Sequence, residues 1–106
     1  MIAEWETEMC GKAIKLIRKH VDLDALNMQM IEELGELVQA LAKEARAKGN
    51  GNPTPITAKQ AHQNVRDEFH DVMIVAAVLH WIPYESWMLN RLDRWVHRIM
   101  EKQKDE

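Results

Sequence analysis

Hydrophobic residues recur along this chain at intervals of three and four and nowhere in sustained alternation, so the pattern predicts helices and no strands. Trp5, Met9, Ile14, Leu16 and Ile17 place a first helix from about Glu4 to His20, with Lys12, Lys15, Arg18 and Lys19 on its outer face. Val21 to Asp24 reads as the break. Ile31, Leu34, Val38, Leu41 and Ala45 then mark one face of a second helix, from about Ala25 to Lys48. Gly49 is its natural stop, because glycine turns readily into the left-handed conformation that ends a helix.

Gly49 to Pro55 combines helix breakers with turn formers and reads as a flexible connection. Thr57-Ala58-Lys59-Gln60 carries the capping-box pattern, in which the threonine oxygen and the glutamine side chain satisfy free amides at a helix start. A third helix is therefore predicted from about Ala58 to Trp81. Pro83 suits a first helical turn, and Trp87, Leu92, Trp95, Val96 and Ile99 give a fourth amphipathic helix, from about Pro83 to Gln103. Four such helices predict an all-α four-helix bundle, and 106 residues suffice for one domain, 1–106.

Composition narrows the function. The formal charge of -3 offers no basic excess for a nucleic-acid backbone, so no polymeric nucleic acid is expected as a partner. The longest apolar run, Val72 to Leu79, is far short of the roughly twenty residues that span a bilayer. The first residues do not resemble a signal peptide, so no membrane association and a cytoplasmic location are expected. A single cysteine, Cys10, has no second thiol with which to form a disulfide or a structural zinc site.

The acids are the informative residues. On the second helix Glu32 and Glu36 share a side, with Glu33 displaced round the cylinder. These three lie roughly opposite the Ile31/Leu34/Val38 stripe, where a solvated charged face would also lie, although Glu33 is in line with Met30 and Leu37. On the third helix Glu68 and Asp71 continue a stripe that becomes apolar at Val75 and Val78. Acids in line with a buried stripe must be paired or bound to a cation to avoid a large desolvation cost. Five acids gathered in one bundle call for a divalent ion, and an all-oxygen set favours magnesium, with manganese as a substitute, over zinc.

Glu32-Glu33-x-x-Glu36 on one helix and Glu68-x-x-Asp71 on the next resemble the paired motif of the MazG-type all-α nucleoside triphosphate pyrophosphohydrolases. The resemblance covers the second and third helices, with an extended Gly/Asn/Pro connection between them. It implies magnesium-dependent cleavage of the α-β phosphate bond of a ribo- or deoxynucleoside triphosphate, giving monophosphate and pyrophosphate. It implies Glu32, Glu36, Glu68 and Asp71 as metal ligands and Glu33 as the base that activates water. Asn90, Arg91 and Arg94 on the last helix are the phosphate-holding candidates, and a homodimer or homotetramer is the expected assembly.

Three alternatives remain at this point. Phosphoribosyl-ATP pyrophosphohydrolase shares the chemistry. A di-iron carboxylate bundle needs a Glu-x-x-His on each of two helices, which this chain lacks. A non-catalytic helical interaction module would account for the apolar third helix. Trp5, Trp81, Trp87 and Trp95 at helical spacing read as core or interface rather than as base-stacking groups, and the seven methionines as core filler.

Overall fold

The structure is a computed structural model that describes residues 11–81 and 83–105. It consists of α1 (Gly11–His20), α2 (Leu23–Ala47), α3 (Ala58–Val78) and α4 (Glu85–Asp105), with no strand among the described residues. No helix among them is long and apolar enough to cross a membrane. The predicted start of the first helix, with Trp5, Met9 and Cys10, lies outside the described residues.

The helix ends follow local chemistry. Asp22 is the N-cap of α2, its side chain accepting from the Ala25 amide at 2.8 Å, so the helix starts two residues earlier than the apolar pattern indicates. At its far end Gly49 takes φ 99°, and the amides of Gly49 and Asn50 reach back to the carbonyls of Arg46 and Ala45. This is the left-handed stop expected of a glycine. The Thr57/Gln60 capping box of α3 forms with both of its hydrogen bonds.

The other end of α3 closes in the same way as α2, but on a non-glycine. His80 adopts φ 59°, while the amides of His80 and Trp81 bond the carbonyls of Ala77 and Ala76. The helix therefore stops at Val78, three residues short of the predicted Trp81. Pro83 precedes α4 rather than occupying its first turn, because the Tyr84 carbonyl already accepts the first intrahelical bond, from Met88.

The α2 and α3 helices form an antiparallel hairpin. Along the seam the shielded positions include Leu26, Met30, Glu33, Leu37, Ala40, Glu44 and Ala47 on α2, and Ala61, Val65, Glu68, Val72 and Val75 on α3 with Leu79 at its C-cap. Both series alternate steps of three and four, the spacing that keeps one helix face against another. The small side chains of Ala40 and Ala61, both buried, lie in this seam toward the loop. At the opposite end α1 packs on α3, with Ile14, Leu26, Ala77 and Val78 as the core. Arg18 ties the two helices by donating to the carbonyls of Val78 and Ala77, the second of which also accepts from the His80 amide.

Two expectations change here. The Ile31/Leu34/Val38/Leu41 stripe faces outward, because α2 carries a second stripe, through Met30 and Leu37, and it is this one that meets α3. In addition, α4 contributes no buried residue and makes no extensive packing with the other helices. The four helices form, but the chain does not close them into one bundle by itself.

Candidate functional site

The hairpin seam brings carboxylates together at its centre. Glu33 of α2 and Glu68 of α3 occupy shielded seam positions, and Glu36 lies one turn beyond Glu33 on the flank. One carboxylate oxygen from each of the three lies within 4.8 Å of the other two. Two oxygens bound to one hard cation at 2.0–2.6 Å are at most roughly 4–5 Å apart, so the three atoms match the span of a single ion.

The hydrogen bonding leaves this cluster incomplete. Gln29 donates to Oε1 of Glu33 at 2.7 Å, whereas Oε2 of Glu33 and Oε2 of Glu68 are both buried and have no hydrogen-bond partner among the described residues. An orphaned buried acceptor costs roughly 1–3 kcal/mol, more if charged, and a bound cation would satisfy both. Loss of water pushes the Glu33 carboxyl above its ordinary range; the Gln29 hydrogen bond opposes this, and the negative charges of Glu36 and Asp71 add to it.

Of the residues singled out in the sequence, Glu33, Glu36 and Glu68 come together. Asp71 is exposed, yet close enough to Glu33 for its charge to act there. Val72, not Asp71, takes the next seam position after Glu68. Glu32 is exposed on the flank and lies outside the three-residue group. Asn90, Arg91 and Arg94 are exposed on α4 and are not brought to the acids within the chain, because that helix stands apart from the hairpin.

Neither His62 nor His70 joins the site. His62 pairs with Glu44 at 2.7 Å, and Nδ1 of His70 bonds the Arg66 carbonyl one turn back on its own helix. Trp81, Trp87 and Trp95 are exposed in the single chain.

Beside the acids a cleft of about 180 Å³ opens between α2 and α3, running from Glu36 and Glu68 toward the loop end of the hairpin. The buried Ala40 and Ala61 contribute to its walls, and Gln39, Lys43 and Asn64 also line it. The sequence reading did not single these out; the signal available was Lys43 lying seven residues, and hence two turns, beyond Glu36. No family model, curated protein or solved structure matches the chain.

Proposed function

We propose that the chain is a magnesium-dependent nucleoside triphosphate pyrophosphohydrolase that splits the α-β anhydride into monophosphate and pyrophosphate. The observation that carries this reading is the orphaned pair of buried carboxylate oxygens, on Glu33 and Glu68, inside a three-carboxylate group of single-ion span. The resemblance of the Glu32-Glu33-x-x-Glu36 and Glu68-x-x-Asp71 pair to the MazG-type motif supplies the reaction.

In this reading Glu33, Glu36 and Glu68 hold the ion, with Asp71 beside them. Magnesium, or manganese in its place, would neutralise charge on the phosphates. Glu33 takes the role of ligand rather than base, because its carboxylate supplies one of the three clustered oxygens and its Oε2 has no hydrogen-bond partner among the described residues. Glu32, exposed on the flank, is the acid of the motif left to accept a proton. The oxygen of a water bonds to one phosphorus of the α-β anhydride, the bridging P–O bond breaks, and the proton passes to the Glu32 carboxylate.

The same reading takes the working form to be a homodimer or homotetramer. The outer stripe of α2 (Ile31, Leu34, Val38, Leu41) and the apolar face of α4 (Met88, Leu92, Trp95, Ile99) are exposed in the single chain, each at alternating steps of three and four. A second copy, presenting the same two stripes, is the occupant that matches both.

Pyrophosphate release from a panel of ribo- and deoxynucleoside triphosphates, with and without magnesium, tests the reaction. Release from at least one nucleotide, dependent on magnesium and lost in Glu32→Gln, is the expected result. No release from any triphosphate would refute it.

A further inference from the structure

The only cation among the residues lining the cleft is Lys43, and its surroundings are unusual for a surface lysine. Three carboxylates, Glu36, Asp67 and Glu68, line the same cleft, yet Lys43 forms no ion pair with any of them or with any other described residue. One residue further along, Glu44 is committed to His62 and Lys48, so it does not neutralise Lys43 either. Gln39 and Asn64 line opposite walls, and the side-chain amide of neither has a hydrogen-bond partner among the described residues. Asp67, by contrast, is engaged by Gln63 at 3.0 Å.

Position along the helix sets what Lys43 can reach. Glu36 and Lys43 are seven residues apart, close to the same angle on α2 and separated by about 10.5 Å of rise. Helical side chains lean toward the N-terminus of their own helix, so a lysine here extends along the cleft toward Glu36 rather than toward the loop. An anionic chain held at the Glu36/Glu68 end therefore passes under the ammonium before it leaves the cleft. An ammonium serves well as a point charge for phosphate oxygens, whereas the amides of Gln39 and Asn64 offer the mixed donor and acceptor pairs that a sugar hydroxyl or base edge requires.

We infer that the cleft beside the acid cluster is the recognition pocket of this same site, with Lys43 holding a phosphate of the bound polyphosphate and Gln39 and Asn64 binding its nucleoside part. This rests on the pyrophosphohydrolase reading and replaces Arg91 and Arg94 of α4 with Lys43 as the phosphate-binding cation. Lys43 is exposed, so its replacement leaves the hairpin core untouched.

The test is calorimetry on the full chain with three probes: magnesium alone, inorganic tripolyphosphate with magnesium, and α,β-imido nucleoside triphosphates of the four common bases with magnesium. Lys43→Ala is expected to bind magnesium as the wild type does and to bind tripolyphosphate roughly ten- to a hundredfold more weakly, the usual worth of one charge-assisted hydrogen bond. Lys43→Arg is expected to recover most of that loss. Gln39→Ala and Asn64→Ala are expected to weaken at least one imido nucleotide while leaving tripolyphosphate unchanged.

Tripolyphosphate binding equal in wild type and Lys43→Ala, with magnesium binding intact, would overturn the role of Lys43 and leave the metal reading standing. A larger loss in an Arg91→Ala/Arg94→Ala double variant than in Lys43→Ala would return the phosphate to the last helix. Unchanged binding of every imido nucleotide in both amide variants would remove the nucleoside from this cleft. A wild type that binds neither magnesium nor tripolyphosphate would overturn this inference together with the reading beneath it.

Discussion

Glu33 and Glu68 occupy shielded positions on the two helices of one hairpin, and the Oε2 atom of each is buried without a hydrogen-bond partner among the described residues. A seam of this kind gains from apolar side chains at every position, so two carboxylates in its middle weaken the hairpin unless something binds them. The cost in stability and the proposed cation site rest on the same two side chains.

Replacing both acids should therefore strengthen the metal-free fold. Glu33→Leu combined with Glu68→Leu is expected to raise unfolding free energy by roughly 1–2 kcal/mol in chelator, since it removes two orphaned acceptors and fills the seam. Thermal melts with and without magnesium check this. The wild type should gain midpoint temperature on adding the ion, and the double variant should be indifferent to it.

The Glu33 carboxyl, held above its ordinary range by loss of water, gives a pH signature. Folded Glu33 keeps its proton to higher pH than the unfolded chain does. Its contribution to stability is thus fully present below about 4.5 and is lost as pH rises through the raised value. In chelator, the difference in stability between wild type and Glu33→Gln should move against the wild type as pH rises from 4.5 toward neutrality. Denaturant titrations at several pH values would show it, and a flat difference would contradict it.

Glu44 behaves in the opposite sense. Its hydrogen bond with His62 holds the carboxyl below the ordinary range, burial opposes this, and the Lys48 charge assists. The stabilisation is present above about 4.5 and is lost as pH falls through the lowered value. Glu44→Gln should accordingly cost stability at neutral pH and little in strong acid. Equal destabilisation at both would show that the pair near the loop does not hold the hairpin through charge.

Exposed apolar stripes on α2 and α4 should hold copies of the chain together. Light scattering after size exclusion is expected to give a multiple of 12.4 kDa for the wild type. Val38→Lys on α2, or Trp95→Lys on α4, should shift the mass toward the single chain by burying an unpaired charge at the interface. A wild type running at 12.4 kDa would contradict the assembly.

The helices were legible because their ends carry strong local chemistry. Thr57 and Gln60 announce the start of α3, and Gly49 the stop of α2, whatever the rest of the chain does. His80 gives no such signal, because a positive φ is uncommon outside glycine, and histidine, though it tolerates that conformation better than most residues, does not announce it. Which stripe of α2 faces inward was not legible either. Ile31/Leu34/Val38 is the more apolar of the two, and the chain buries the other, which bears Glu33 and Glu44, because it is the one that meets α3. Neighbouring acids such as Glu32 and Glu33 differ by a single helical step, so periodicity placed both near the site while packing alone shows which one enters the seam.

In the proposed function the paired carboxylates serve hydrolysis of the α-β anhydride. Phosphorus NMR of a nucleoside triphosphate panel incubated with magnesium and the wild-type protein, beside Glu68→Gln, tests it most directly. The expected spectrum shows monophosphate and pyrophosphate growing together for at least one nucleotide with the wild type, and an unchanged triphosphate with the variant. Diphosphate and orthophosphate as products, unchanged triphosphates throughout with the wild type, or equal turnover in Glu68→Gln, would contradict it.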